Sequence, residues 1–449
     1  MTNTGDSFKE KMANTIISIL KYLLLQKAWK FFYLIYNYLK NFYYSLIFNF
    51  IQFRYKKIVR KFKKKDKIKV AFFLIHDSVW KYDGVYKLME SDPRFEPVVV
   101  VCPYLIDDLE KMMFIMNNAY NTFKEKQFNV IKTYNEETKT WLDIKKEIQP
   151  DIVFFTNPHK LTKAEYYITN YLNCLTCYVP YNFGNSHLFQ LMHNQIFHNV
   201  LWRLFAETNI HRDYSVKYAI NKGINVVVSG YPGTDALLNQ YYIPADTWKQ
   251  KDKKIKRIIW APHHTIDNNT SFLSYSSFLI YADAMLNIVN EYQGKIQIAF
   301  KPHPLLIKKL YEEVSWGKEK TDNYFNRWNN LSNGQLVEGE YIDLFLNSDA
   351  MIHDSGSFLV EYIYTGKPVL HTNRDENIKD RMNSFGILAF NLHYHAKNEA
   401  DIRVFIENVL NNKDEKKQER AGFLSSKLLP PNNISASENI YNDIVKQLS

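Results

Sequence analysis

Residues 70–75, VAFFLI, form an unbroken apolar run that ends in the polar turn His-Asp-Ser. A run of this length between turn residues suits a strand buried on both faces, the pattern of a parallel sheet covered by helices. The rhythm recurs in FEPVVVVCPY, PDIVFFTNP, LTCYVPYN and INVVVSGYPGTDALL, then in RIIWAPHHT, KIQIAFKPHPLL, DAMIHDSGS and KPVLHT. Between these runs, GVYKLMES, FLIYADAMLNIVNEY and FLVEYIYTG have helical spacing, and Gly366 and Pro368 stop the last of them. The predicted fold class is α/β, with two doubly wound Rossmann-like domains facing a cleft. The expected bounds are 67–248 and 249–433, preceded by a segment 1–66 and followed by a terminal helix 434–449. A chain of 449 residues is long enough for two such cores.

Charge is confined to one place. Residues 54–69 hold ten Lys or Arg and one Asp, so nearly all of the formal +10 lies in a single block. Proteins that bind nucleic acid spread basic charge over a groove or face, and no nucleic-acid partner is expected. Directly upstream, residues 31–53 carry eleven Phe or Tyr among 23 positions. The longest uncharged stretch there, 41–53, has 13 residues, short of the roughly 20 that a spanning helix needs. Aromatic rings favour the headgroup layer, and Lys21, Lys27 and Lys30 have stems long enough to reach water. The expectation is an amphipathic, peripheral or monotopic segment docked on an anionic membrane surface at its cytoplasmic face. A core helix pair with a solvated charge run is the plainer alternative. Cys102, Cys174 and Cys177 are too few for a disulfide framework, and the CxxC pair lacks the second pair of a zinc site.

Ligands of open α/β sheets gather at the carboxyl ends of the strands, where the second half places three polar clusters. His263, His264 and Thr265 follow one strand, Lys301 and His303 the next, and Asp354, Ser355, Gly356 and Ser357 a third. Ser355, Gly356 and Ser357 stand at a helix start, whose unpaired N–H groups favour phosphate. An N-cap serine beside a glycine turn has the same sequence signature. With its neighbours, the set expected to hold an anion is His263, His264, Lys301, His303, Ser355, Gly356 and Ser357. One of His263 and His264 is expected to be structural; His353 suits either the site or a place in the sheet, and Asp354 either the ligand or orientation of the turn. Glu361 suits either a ribose hydroxyl or the helix dipole. In the first half, His76 and Asp77 end the first strand and are candidates for general base, while His303 is the candidate on the opposite side. No GxxxxGK[ST], GxGxxG or metal-type carboxylate cluster occurs, so neither cofactor nor metal is expected.

The second half resembles the CDP-glycerol glycerophosphotransferase family, bacterial teichoic-acid and capsule polyol-phosphate transferases of GT-B fold. The resemblance runs through IIWAPHHTI, FKPHPLL and YIDLFLNSDAMIHDSGSFLVEYIYTGKPVL, over roughly residues 255 to 375. It implies that His303, Ser355, Gly356 and Ser357 hold the pyrophosphate of a CDP-linked donor, and that Glu361 stands where the family has an acidic residue. It further implies transfer of a polyol phosphate to a hydroxyl of a lipid-linked or polysaccharide acceptor, with release of CMP. The polymerases of the family carry Trp-His-Gly-Thr in the first domain, where this chain reads VPYNFGN with Tyr181 near the histidine position. His76 or His187 is then the replacement base, or the reaction differs. A GT-B glycosyltransferase using a nucleotide sugar, and a non-catalytic membrane partner that keeps the fold, are the alternatives.

Overall fold

In the computed structural model, residues 5–105, 108–267 and 274–449 are described, with side chains from residue 30 onward apart from positions 33 and 37. The lysines at 21 and 27 therefore lie outside the described side chains. Contacts divide the chain into Met1–Arg54 and Tyr55–Ser449. One helix, Gly5–Phe62, begins in the first unit and ends in the second. In the first unit, Phe31, Phe32, Tyr36, Tyr38, Phe42, Tyr43, Phe50 and Phe53 are all exposed. At 3.6 residues per turn their positions fall on one half of the helix surface. No helix among the described residues is long and apolar enough to cross a membrane.

The second unit contains two parallel sheets. The first is built from β1 (Ile68–Leu74), β2 (Phe95–Val101), β3 (Val130–Lys132), β6 (Ile152–Phe155), β7 (Leu175–Tyr178), β8 (Arg203–Ala206) and β9 (Val226–Val228). Its order is β3-β2-β1-β6-β7-β8-β9, and β4 (Tyr134–Asn135) pairs with β5 (Thr140–Trp141) in a separate small hairpin. The second sheet holds β10 (Lys256–Ala261), β11 (Ile296–Phe300), β12 (Gly334–Leu336), β13 (Ala350–His353), β14 (Val369–Thr372) and β15 (Tyr394–Ala396), in the order β12-β11-β10-β13-β14-β15. These are the two doubly wound domains expected. The central strands are the apolar runs: Val70, Ala71 and Phe72 are fully buried and pair with Ile152, Val153 and Phe154.

Four strands of the two parallel sheets escaped the sequence reading, RLFA at β8 and VIK, GQL and YHA at the edges, as did the β4–β5 hairpin. Three or four residues carry too little alternation to stand out, and their register comes from the neighbouring strand. Cys177 lies buried in β7 and Cys174 donates to the Pro150 carbonyl, so these thiols are structural. The final helix, Ala436–Leu448, crosses back to the first sheet. Its starting N–H groups at Ala436 and Ser437 are held by the Asp235 carboxylate, and the Tyr441 hydroxyl donates to Asp92.

Candidate functional site

In the second sheet β11, β10 and β13 are neighbours, so their following loops emerge side by side. Hydrogen bonds tie these loops to one another. The His303 N–H donates to the Pro262 carbonyl at 3.0 Å, and the His263 N–H donates to the Asp354 carboxylate at 2.5 Å. The other Asp354 oxygen accepts from the backbone and hydroxyl of Ser277, at 2.6 and 2.9 Å. Asp354 thus orients the turn, and burial pushes its pKa up to about 7 against those hydrogen bonds.

The ring centroids of His263 and His264 are 4.3 Å apart, those of His264 and His303 4.3 Å, and those of His263 and His303 5.1 Å. One nitrogen from each lies within 4.8 Å of the others, a spacing compatible with a metal ion. The tautomers favour the opposite charge. His303 Nδ1 accepts the Leu305 N–H at 3.1 Å. His263 Nδ1 faces the Thr265 hydroxyl at 2.9 Å, and that oxygen already accepts the Tyr275 N–H. A neutral imidazole that accepts at Nδ1 carries its proton on Nε2, so both rings present N–H donors where a metal would need bare lone pairs. The rings stay neutral at pH 7: burial, with repulsion from His264, His76 and Lys301, pushes His303 down to about 3. Burial brings His264 to about 4.

The Ser355-Gly356-Ser357 turn leads into the helix Phe358–Glu361. The Ser355 N–H is taken by His353 Nδ1, and His353 is fully buried in the sheet. Among the described residues no acceptor pairs with the N–H of Gly356 or Ser357. Gly356 faces Asn185 and Tyr275: an added Cβ would stand 3.7 Å from the Asn185 side chain and 3.9 Å from the Tyr275 ring. The Tyr275 hydroxyl is buried without a hydrogen-bond partner, and its ring packs edge-on against His263.

The remaining candidates are placed differently. Lys301 donates to the Gly339 carbonyl, and burial, partly offset by Glu340 and Glu338, lowers its pKa to about 8. The Glu361 carboxylate is buried and accepts from the Tyr341 hydroxyl, which also accepts from Lys81 of the first sheet's side. His76 follows β1, and hydrogen bonds from Lys81 to Tyr341 and from Asn185 to Gly356 join the two sides, so the strand ends of the two sheets face each other. Ser78 lies between His76 and Asp77: its hydroxyl pairs with His76 Nδ1 and its N–H with the Asp77 carboxylate. The two do not act as a hydrogen-bonded pair. Sequence reasoning did not single out Asn185 or Tyr341, although both lie in stretches quoted above, and it missed Tyr275, which carries no motif; the fold brings all three to the site.

A family model described as CDP-glycerol:poly(glycerophosphate) glycerophosphotransferase matches residues 205–446. No match was found among curated proteins. Among solved structures, the S. aureus MnaA–UDP complex aligns with TM-score 0.54 and 17% identity over 85% of this chain and 97% of its own. A UDP-N-acetylglucosamine 2-epimerase aligns with TM-score 0.52 and 18% identity, over 86% and 95%. A variant of the wall teichoic acid polymerase TagF aligns with TM-score 0.52 and 15% identity, over 91% and 98%. At these identities the likeness speaks to the fold, which is GT-B.

Proposed function

Because the chain belongs to the CDP-glycerol:poly(glycerophosphate) glycerophosphotransferase family and is a transferase, we propose that it moves a polyol phosphate from a CDP-linked donor to a hydroxyl of a cell-surface polymer or its lipid-linked precursor. The acceptor oxygen attacks the phosphorus that bears the polyol. The bond from that phosphorus to the bridging oxygen breaks, and CMP leaves with the electron pair. The observation that carries this reading is the convergence of the His263 and His303 Nε2–H donors with the open N–H groups of Gly356 and Ser357 on three hydrogen-bonded strand ends. Fixed donors of this kind stabilise charge that develops on the bridging oxygen without reorganising. Neutral imidazole N–H groups take the place of a cation here, so donor binding is expected to survive chelation. The exposed rings of Phe31 to Phe53 and the basic block after them support docking on an anionic membrane, which brings the enzyme to a lipid-linked acceptor.

The test uses the full chain with CDP-glycerol, CDP-ribitol and UDP-N-acetylglucosamine, reading melting temperature and nucleotide release in the presence of a lipid-linked acceptor. A CDP-polyol is expected to raise the melting temperature and yield CMP. Stabilisation by the UDP-sugar alone, with UDP released, would replace this reading by the glycosyltransferase one.

A further inference from the structure

The first sheet carries its own polar centre, which the donor site does not use. A cavity of about 30 Å³ opens at the carboxyl ends of β6, β7 and β8, lined in part by His159, Tyr181, His193, Glu207 and His211. Glu207 directly follows β8 and is 4% exposed. One of its oxygens accepts the Gly184 N–H at 3.2 Å. The other lies 4.0 Å from His211 Nδ1; besides Gly184, the carboxylate's only donor among the described residues is Glu207's own N–H. Gly184 sits directly against this pair, since an added Cβ would meet the His211 ring at 3.2 Å. The next residue, Asn185, donates to the Gly356 carbonyl at 2.5 Å. A buried carboxylate is thereby tied, through two consecutive loop residues, to the turn that holds the donor phosphate.

The imidazoles are orphaned in complementary ways. Thr208 Oγ1 accepts N–H groups from Ile210 and His211, so its own proton goes to His211 Nδ1, and His211 Nε2 carries a hydrogen. Ser215 donates to the His211 carbonyl, so it accepts from His193 Nδ1–H and leaves His193 Nε2 bare. Both Nε2 atoms are buried without partners. A cavity with one unmatched donor, one unmatched acceptor and a carboxylate suits a small hydroxyl-bearing group.

We infer that this cavity receives the terminal hydroxymethyl group of the acceptor, and that Glu207 is the general base for its hydroxyl. The inference rests on the transferase reading above. The hydroxyl accepts from His211 Nε2–H and donates to the free Glu207 oxygen. As its oxygen bonds to the donor phosphorus, its proton passes to Glu207 and CMP leaves with the electron pair of the broken P–O bond. The titratable groups around Glu207 are His211, Tyr178, Tyr231 and Tyr364, with His159, Tyr181, His193 and His198 also lining the cavity. Burial keeps all of them neutral, and it also raises Glu207 to about 7 against two backbone hydrogen bonds. A base poised there suits proton abstraction near neutrality.

The experiment compares the full-length wild type with Glu207→Gln, which preserves shape and the hydrogen bond from Gly184. CDP-glycerol affinity is measured alongside acceptor-dependent CMP release between pH 5.5 and 8.5. Expected are a fall in kcat of about 10²- to 10⁴-fold, donor Kd within about twofold, and a wild-type kcat that rises with pH to a plateau above about 7, a limb absent in the variant. Activity of Glu207→Gln within about threefold of wild type, or a limb that persists in it, overturns the assignment while leaving the transferase reading intact. Should the variant not fold, a flat wild-type profile over that range overturns it equally. No CMP release from any CDP-polyol by the wild type would instead remove the reading beneath it, and the inference with it.

Discussion

The side-chain amide of Asn185 donates to the main-chain oxygen of Gly356 at 2.5 Å, joining the loop after β7 to the turn after β13. The clasp is reciprocal. The Asn383 N–H donates to the Asn185 carbonyl at 2.9 Å, and its side chain donates to the carbonyls of Gly184 and Ser186. The loop after β7 and the second sheet's side are thus held in register by asparagine amides on main-chain carbonyls, which no sequence motif announces.

Gly356 separates the structural and functional roles of that turn. A methyl group there meets nothing closer than 3.7 Å, so Gly356→Ala should leave the melting temperature unchanged. It should still lower CDP-glycerol affinity tenfold or more, because the methyl stands where the backbone meets phosphate. Calorimetric titration beside a thermal melt reads both; equal donor affinity in the two proteins would remove phosphate from this turn.

His303 should behave as a donor of one hydrogen bond to an anion. His303→Ala is expected to weaken donor binding by about 1.5–3 kcal/mol, the usual contribution of a hydrogen bond to a charged group. Chelation of divalent cations should leave wild-type donor Kd unaltered, and a Kd that rises with chelator would turn the histidine trio back into a metal centre.

Asp354 satisfies three buried donors, on His263 and Ser277. Asp354→Ala strands all of them, at about 1–3 kcal/mol for each unsatisfied group. A loss of about 3 kcal/mol or more in chemical denaturation is expected, with donor affinity falling as the His263 loop loosens.

Acid should unfold the protein early. Burial depresses His193 and His198 to about 3 and His211 and His371 to about 4, below an unperturbed value of 6.5. A lowered histidine contributes stability above pH 6.5 that is lost as pH falls toward its folded value, at about 1.4 kcal/mol per pH unit for each neutral ring. Glu207 and Asp354, both raised to about 7, work the other way between pH 7 and 4. The four rings outnumber these two carboxylates, and His263, His353 and His393 are shifted in the same sense as the rings. Stability measured by denaturant between pH 7 and 5 should therefore drop steeply; a flat profile would mean that these imidazoles are not buried neutral.

Membrane docking makes a salt-dependent prediction. The full chain should co-sediment with vesicles rich in anionic lipid and much less with neutral ones. Replacing Lys56, Lys57, Lys61, Lys63 and Lys64 by Gln should reduce that binding, by about 1 kcal/mol for each cation near the surface. Equal binding to neutral vesicles would assign the attachment to the aromatic rings alone.

The two sheets were legible because their central strands are long apolar runs, as in VAFFLI and RIIWA, and the polar clusters proposed to hold the donor stood out because they fall directly after such runs. His263, Lys301, His303 and Ser355 need only the rule that ligands gather at strand ends. Tautomers were not legible: the His303 proton is placed by the Leu305 amide, a fact of loop geometry. Nor was Glu207 marked, since β8 is four residues long and a lone acid beside Thr208 reads as surface. Glu361 shows the reverse, a residue noticed for its helix position whose carboxylate the fold pairs with Tyr341.

The helix Ala436–Leu448 docks on the helix Asp83–Ser91, far back in the chain, with the Arg203 guanidinium on Asp443 at 2.8 Å. Folding during synthesis therefore cannot finish in the order in which residues leave the ribosome. The earlier-made segment waits, with Gly84 lacking its Ser437 neighbour and Phe95 its Tyr441 ring, until the helix Ala436–Leu448 has emerged. Loss of the helix Ala436–Leu448 would accordingly damage the first-sheet domain, which is translated well before it.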